Sequence, residues 1–314
     1  MVNTSILKTH GSELYRQLLQ FVRDTIELVR QGEQISVAGA LEISKHVIGD
    51  FKDSTRLLES AMSYYDPVDL VVSHAVNVAV YSLKMAQDMG LSDEEVENIT
   101  AVALLHDIGF GRAPIYNRNK DDLVLHEREP DKVILDEDRD IIKKHSEAGY
   151  ETILKDTPRA ALMAEIILQH HERADGTGFP RGLTDSEQLL QAKIIAIMDI
   201  YEAFIHPRPF RDALVPPKGI DAIRQSSAGA FSSEMIKELL LSFSICPIGH
   251  IVKLNDNSIG KVIRTHRDYP MRPDIRLYVD SAGRKLDTPV ETSLKEDVLL
   301  YIAECLPRFS PDNS

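Results

Sequence analysis

Apolar residues recur at helical spacing along most of the first 245 positions and at strand spacing after them. Across 12–31, Leu14, Leu18, Phe21, Val22, Ile26 and Val29 share one face of a helix, with Ser12 to cap its start and Gly32 its end. Two more amphipathic helices are predicted near 36–48 and 53–64, before Asp66-Pro67 breaks the pattern. VVSHAVNVAVYSLKMAQDMG predicts a helix ending at Gly90. Ser92 with Glu95 then makes a capping box for SDEEVENITAVALLHDIG, which stops at Gly109. Residues 110–136 are polar and irregular and read as a long loop, which in compact domains serves as a lid or binding loop or else is disordered. Helices resume at 137–155, 158–171, 187–205 and 233–244. Past Cys246-Pro247 the runs HIVKL, GKVIRTH, DIRLYV and VLLYIAEC are β-branched or alternating, and NDNSIG, YPMRP and DSAGRK are turn signals. The expectation is a mainly α protein: an N-terminal helical region at 1–66, a helical core at 67–245, and a small β-rich domain with a tail at 246–314. The stripe on the first helix faces a core or a second copy of the chain.

A few polar residues interrupt these apolar stretches in a fixed order: His74, His106-Asp107, His145, His170-His171 and Asp199. An imidazole or carboxylate among apolar residues is costly unless something binds it. Seven nitrogen and oxygen ligands exceed the needs of one metal and suit two ions sharing a carboxylate, a grouping that activates water for phosphoester hydrolysis. Taken singly the residues are less specific. His74, among valines, also fits a satisfied core histidine, His145 has charged neighbours, and an HD dipeptide can be a capping histidine beside an exposed Asp. Adjacent residues on a helix point about 100° apart, so His106 and Asp107 reach one ion only near a helix end, which Gly109 supplies. Asp199, mid-helix among Ile and Met, destabilises that helix unless it is paired or metal-bound. In HHERADGTGFPRGL, residues 170–183, two histidines close a helix and Gly176, Gly178 and Pro180 fix a tight backbone beside them. A helix C-terminus followed by a loop accounts for the glycines, but not for His-His-Glu.

Composition narrows the partners. The chain has 314 residues, 43% hydrophobic and 27% charged, as an ordinary globular protein does. Its net charge of −13 argues against nonspecific nucleic-acid binding, so an anionic substrate must be met locally by metals and a few arginines. No run reaches the ~18 apolar residues of a membrane span, and no secretory signal is visible, so a cytoplasmic protein is expected. Cys246 and Cys305 are isolated in the chain and read as small buried hydrophobes.

The order H…HD…H…HH(E)…D together with the DGTGFP turn resembles the HD-GYP family, the metal-dependent phosphodiesterase branch of the HD superfamily, over about residues 68–244. The resemblance implies an all-helical HD-type catalytic core holding two divalent metal ions, commonly iron or manganese. Asp107 would bridge them, with His74, His106 and Asp199 completing one ion and His145, His170 and His171 the other. The implied substrate is cyclic di-GMP, opened to pGpG and then GMP. Arg208 and Arg211 of HPRPFRDAL correspond to substrate-contacting family arginines, and Phe110, Gly178 and Phe179 occupy substrate-facing family positions.

The chain departs from the family in places. HDIGK reads HDIGF here, so the lysine expected on the substrate phosphate is Phe110, a loss worth ~1.5–3 kcal/mol if that contact is made. Phe110→Lys is then expected to tighten binding and raise turnover. GYP reads GFP, and the glutamate with which some members hold a third metal is Leu70, so two metals are expected. The His106–His145 connection is about ten residues longer than the family's, with an insertion around LVLHEREPDK that carries His126, an exposed residue by its neighbours. Two other readings stay open: a weakly active or inactive sensor or adaptor with a signalling partner on the GFP loop or the 110–136 segment, and a phosphodiesterase for another cyclic nucleotide.

Overall fold

The computed structural model describes residues 13–306 apart from 65, 67–68, 113–142, 158–159, 209–210 and 227–228. The described residues contain ten α-helices: α1 (Glu13–Gln31), α2 (Val37–Asp53), α3 (Arg56–Ser63), α4 (Leu70–Asp88), α5 (Asp93–Leu105), α6 (His145–Asp156), α7 (Ala161–Gln169), α8 (Leu190–Ile205), α9 (Pro216–Ser226) and α10 (Ser233–Phe243). Five strands follow: β1 (Ile251–Leu254), β2 (Ile259–Arg264), β3 (Asp274–Val279), β4 (Lys285–Ser293) and β5 (Ile302–Cys305).

α4 is the axis of the helical part. Its residues are buried almost all round, as a helix without a polar face must be, and α1, α3, α5, α8 and α10 pack against it. Its end follows from sequence. After Asp88 the chain turns through Gly90 at φ 79°, with Gly90 N–H donating to Gln87 O and Leu91 N–H to Ala86 O, a glycine C-cap. α5 opens on the expected capping box, in which Ser92 and Glu95 satisfy each other's backbone N–H groups. Side chains from α1 to β5 join one continuous apolar cluster, so the N-terminal helices and the sheet share packing with the helical core.

The sheet is antiparallel, in the order β4-β3-β2-β1-β5. Val252, Leu254, Val262 and Ile275 fill its inner side. Cys246, isolated in sequence, meets Cys305 of β5; their hydrogen bond, with burial, pushes the Cys246 thiol up, and both cysteines are free.

Four expectations change. The α-helix of SDEEVENITAVALLHDIG ends at Leu105, and residues Ile108–Arg112 form a 3₁₀ turn packed against α1 and α6 rather than the start of a loop. α9 lies where no helix was expected; it opens on Pro216-Pro217, and proline is well tolerated in a helix's first turn. β4 was hidden by its polarity: it lies at the sheet edge, exposed along most of its length, where Pro289 removes no needed donor. Only Ile302–Cys305 of VLLYIAEC is strand; Val298, Leu299 and Tyr301 are exposed. Ser12, residues 113–136, His126 and the start of the 137–155 helix lie outside the described residues. No helix among the described residues is long and apolar enough to cross a membrane.

Candidate metal centre

Five elements deliver the seven residues to one buried place. His74 comes from the middle of α4, His106 and Asp107 from the turn after α5, His145 from the first position of α6, His170 and His171 from the end of α7, and Asp199 from α8. All seven are buried. His106 and Asp107 leave the helix together because α5 stops one residue before them. Gly109 makes this possible: a Cβ there would lie 1.9 Å from His145 O, so only glycine lets the turn sit on α6.

The donor atoms form two groups with one member in common. Asp107, His145, His170 and His171 offer atoms within 4.8 Å of one another, and so do His74, His106 and Asp107. In the first group His145 Nε2 lies 3.2 Å from His170 Nε2 and 3.1 Å from His171 Nε2, with Asp107 Oδ1 3.5 Å from His145 Nε2 and 3.8 Å from His170 Nε2. In the second, His106 Nε2 is 3.2 Å and His74 Nε2 3.8 Å from Asp107 Oδ2. Asp199 Oδ1 joins that side, 2.8 Å from His74 Nε2 and 3.8 Å from His106 Nε2.

The proton positions suit a cation. His106 Nδ1 lies 2.7 Å from Ala103 O and His170 Nδ1 2.5 Å from Ile167 O, each ring closing a helix end three residues back, and His74 Nδ1 lies 2.5 Å from Glu202 Oε2. An acceptor at Nδ1 keeps the proton there and turns the Nε2 lone pair inward. Burial, followed by the neighbouring imidazoles, pulls His170 down to about 3 and His171 well below its ordinary value, so both rings are neutral. Burial works to raise Asp107, but His106, His145 and His74 outweigh it and hold the carboxyl well below the carboxylate range. His106 is lowered by burial and raised more by Asp107, ending above its ordinary value. His106 Nε2 is buried and faces Asp107 Oδ2 at 3.2 Å without a well-formed hydrogen bond among the described residues. Neutral His170 and His171, an ionised shared carboxylate, and a His106 Nε2 that faces that carboxylate fit divalent metal ions.

Two further carboxylates organise the surroundings: Glu202, missed in the sequence, and Glu172. Glu202 is three residues beyond Asp199 on α8, and that spacing within an apolar helix was the available signal. It takes His74 Nδ1 and Arg208 Nη2 (2.6 Å) on Oε2 and Asn77 Nδ2 (3.2 Å) on Oε1, and Tyr15 of α1 donates to Asn77 Oδ1 at 2.5 Å. Burial works to raise Glu202, but Arg208, His74 and His206 hold it well below its ordinary value. Glu172, the unexplained third residue of His-His-Glu, accepts the N–H groups of Arg181 (2.7 Å) and Leu183 (2.8 Å) and so closes the turn after α7.

The five residues expected to face substrate have definite places. Arg208 is 7% exposed and its guanidinium is held by Glu202. Arg211 donates to Ala203 O at 2.5 Å and Phe204 O at 3.2 Å, capping the end of α8. Phe110 is 1% exposed and stacks on His145, ring centroids 4.2 Å apart at 16°, so its ring is spent on a histidine rather than open to a phosphate. Gly178 packs on the backbone of the His-His turn, and half-buried Phe179 stacks on His171 at 4.7 Å and 20°.

Residues 59–232 match the HD domain family, more than half of the chain. The chain belongs to the HD domain family. It is of the HD-GYP type, and residues 251–308 match the KOW domain associated with the HD domain. The cyclic di-GMP phosphodiesterase PdeB of Borreliella burgdorferi is 27% identical over 71% of this chain and 56% of its own length. The 3'3'-cGAMP-specific phosphodiesterase 3 of Vibrio cholerae is 30% identical over 55% of this chain and 35% of its own. The chain thus spans little more than half of the first relative. Among solved structures, Bd1817, a HDG"Y"P protein from Bdellovibrio bacteriovorus, superposes with a TM-score of 0.60 at 18% identity, covering 76% of this chain and 72% of that one, which shows the shared fold.

Proposed function

We propose that the protein is a binuclear-metal phosphodiesterase that opens cyclic di-GMP to pGpG and carries it on to GMP. The observation that carries this reading is Asp107, the one carboxylate common to both donor groups. His74, His106 and Asp199 would hold one divalent ion and His145, His170 and His171 the other, with Asp107 between them. Once bound, two such ions supply positive charge at a phosphoryl oxygen and lower the pKa of an attacking water. The chain's part is to hold the imidazoles buried and to orient the rings of His106, His170 and His74 through Ala103 O, Ile167 O and Glu202. Iron or manganese is the expected pair, in the cytoplasm. The names of the relatives support a cyclic dinucleotide as substrate, and the one from Vibrio cholerae keeps 3'3'-cGAMP as a second candidate.

A sensor or adaptor is favoured by a different observation. Arg208 is buried on Glu202, half-buried Arg211 is engaged by backbone carbonyls, and Phe110 replaces a cation, so less charge is offered to phosphates than two open arginines and a lysine would give. On that reading the GFP loop, the 110–136 segment or a homodimer face would take a signalling partner. Anaerobically prepared protein with iron or manganese loaded, incubated with cyclic di-GMP and 3'3'-cGAMP and followed by chromatography, separates the readings. Accumulating pGpG supports the phosphodiesterase; two bound ions with no product from either nucleotide overturns it in favour of the sensor.

A further inference from the structure

We propose that two Gly-Phe dipeptides, Gly109-Phe110 and Gly178-Phe179, are paired positioning elements that hold the rings of His145 and His171 in register for the three-histidine subsite. The proposal rests on the metal reading of that subsite given above. The pattern repeats on two unrelated segments. At each, the glycine lies against the backbone carbonyl of one histidine and the following phenylalanine lies flat on that same histidine's ring. A Cβ at Gly109 would meet His145 O at 1.9 Å, and one at Gly178 would meet His171 O at 2.5 Å. Phe110 stacks on His145 at 4.2 Å and 16°, and Phe179 on His171 at 4.7 Å and 20°. Phe179 N–H also donates to His171 O at 3.2 Å, which ties the second pair directly.

The physical need is specific. The terminal torsion of a histidine is broad, because an sp³–sp² bond has shallow wells. Rotation about it swings the imidazole plane sideways and moves Nε2 off its target. A phenyl ring parallel to the imidazole blocks that swing on one face and keeps water off it. His74, His106 and His170 are turned by hydrogen bonds at Nδ1; His145 and His171 gain a restraint of another kind, from a ring face. Their Nε2 atoms lie 3.1 Å apart and 3.2 Å separates His145 from His170, so a small ring rotation would open the group. In this chain Phe110 is therefore a positioning residue for a ligand, and Phe110→Lys should weaken the site instead of improving it.

The test uses the full chain, stripped of metal and titrated with cobalt(II), reading the number of ions retained and the cobalt absorption spectrum. Wild type should take two ions. Phe110→Leu and Phe179→Leu, which keep bulk but have no flat face, should weaken one ion by ~10–100-fold and leave the other, while Phe179→Tyr, which keeps the ring, should behave as wild type. The affected ion is located in single-site backgrounds: the leucine changes should weaken the ion left in His74→Ala protein and spare the one left in His170→Ala protein. Phe179 is only half-buried, so its variant remains informative if Phe110→Leu fails to fold. Two ions bound with unchanged affinity in both leucine variants would overturn the proposal, as would equal weakening at both subsites. Wild type that binds no cobalt would overturn the metal reading itself, and the positioning role with it.

Discussion

The two halves of the buried cluster use similar donors but are backed by different material. Behind His74 stands a polar chain: Glu202, held by Arg208 and Asn77, with Tyr15 of α1 behind the amide. Behind His145, His170 and His171 stand two phenyl rings and a helix-end carbonyl. One half is therefore oriented by charge, the other largely by shape. Charge holds a ligand strongly but leaves a partner exposed to penalty when it is removed, because Arg208 would stay buried without its carboxylate. Shape carries no such debt, and its failure stays local. The difference teaches that the same type of ligand can be fixed by either means, and that the two halves should fail differently.

The harshest way to break the comparison is at the shared residue. Asp107→Ala should lose both ions, whereas His74→Ala and His145→Ala should each lose one; turnover of Asp107→Ala should fall by on the order of 10³-fold or more, checked by elemental analysis and product chromatography. Retention of both ions without Asp107 would mean the halves are independent sites. Glu202→Gln should come next. It keeps the shape of the side chain but leaves Arg208 unneutralised, at a cost of about 3 kcal/mol of stability read by denaturant unfolding. It should also loosen the His74 ion by ~10–100-fold while the three-histidine ion stays.

Acid separates the halves more gently. In the metal-free protein His170, at about 3, and His171 both sit below the unfolded value of 6.5. Between 6.5 and about 3 the unfolded chain binds more protons than the folded one, so stability falls as the pH drops, by up to about 1.4 kcal/mol per pH unit for each proton. His106 is raised, so its contribution is complete below 6.5 and is lost only as the pH rises through its folded value. Thermal unfolding of the metal-free chain from pH 7 to 5 should therefore show a decline that His170→Gln reduces and Glu202→Gln does not. The smallest effect is expected at Glu172→Gln, which loses one of two acceptors for the Arg181 and Leu183 N–H groups, about 1 kcal/mol in unfolding, with the ion near Phe179 the one affected.

The sequence by itself determined the seven polar positions, the helices that carry them and the turn after the His-His pair. It could do so because an ionisable group in an apolar run is costly wherever that run ends up, and because caps such as Ser92–Glu95 and Gly90 are local. Tertiary structure decided the rest. Only packing stopped α5 at Leu105, since the 3₁₀ turn exists to let Gly109 lie on His145 O. Only packing turned Arg208 inward and set Arg211 on the carbonyls of Ala203 and Phe204, because an arginine's charge in the sequence does not say whether a carboxylate, a carbonyl or solvent will meet it. Phe110 and Phe179 read as a lost lysine and a lost hydroxyl until their rings were found on His145 and His171. Which residues stack, and which carboxylate stands behind which imidazole, depends on segments far apart in the chain meeting at a few ångströms, and no local pattern encodes that meeting.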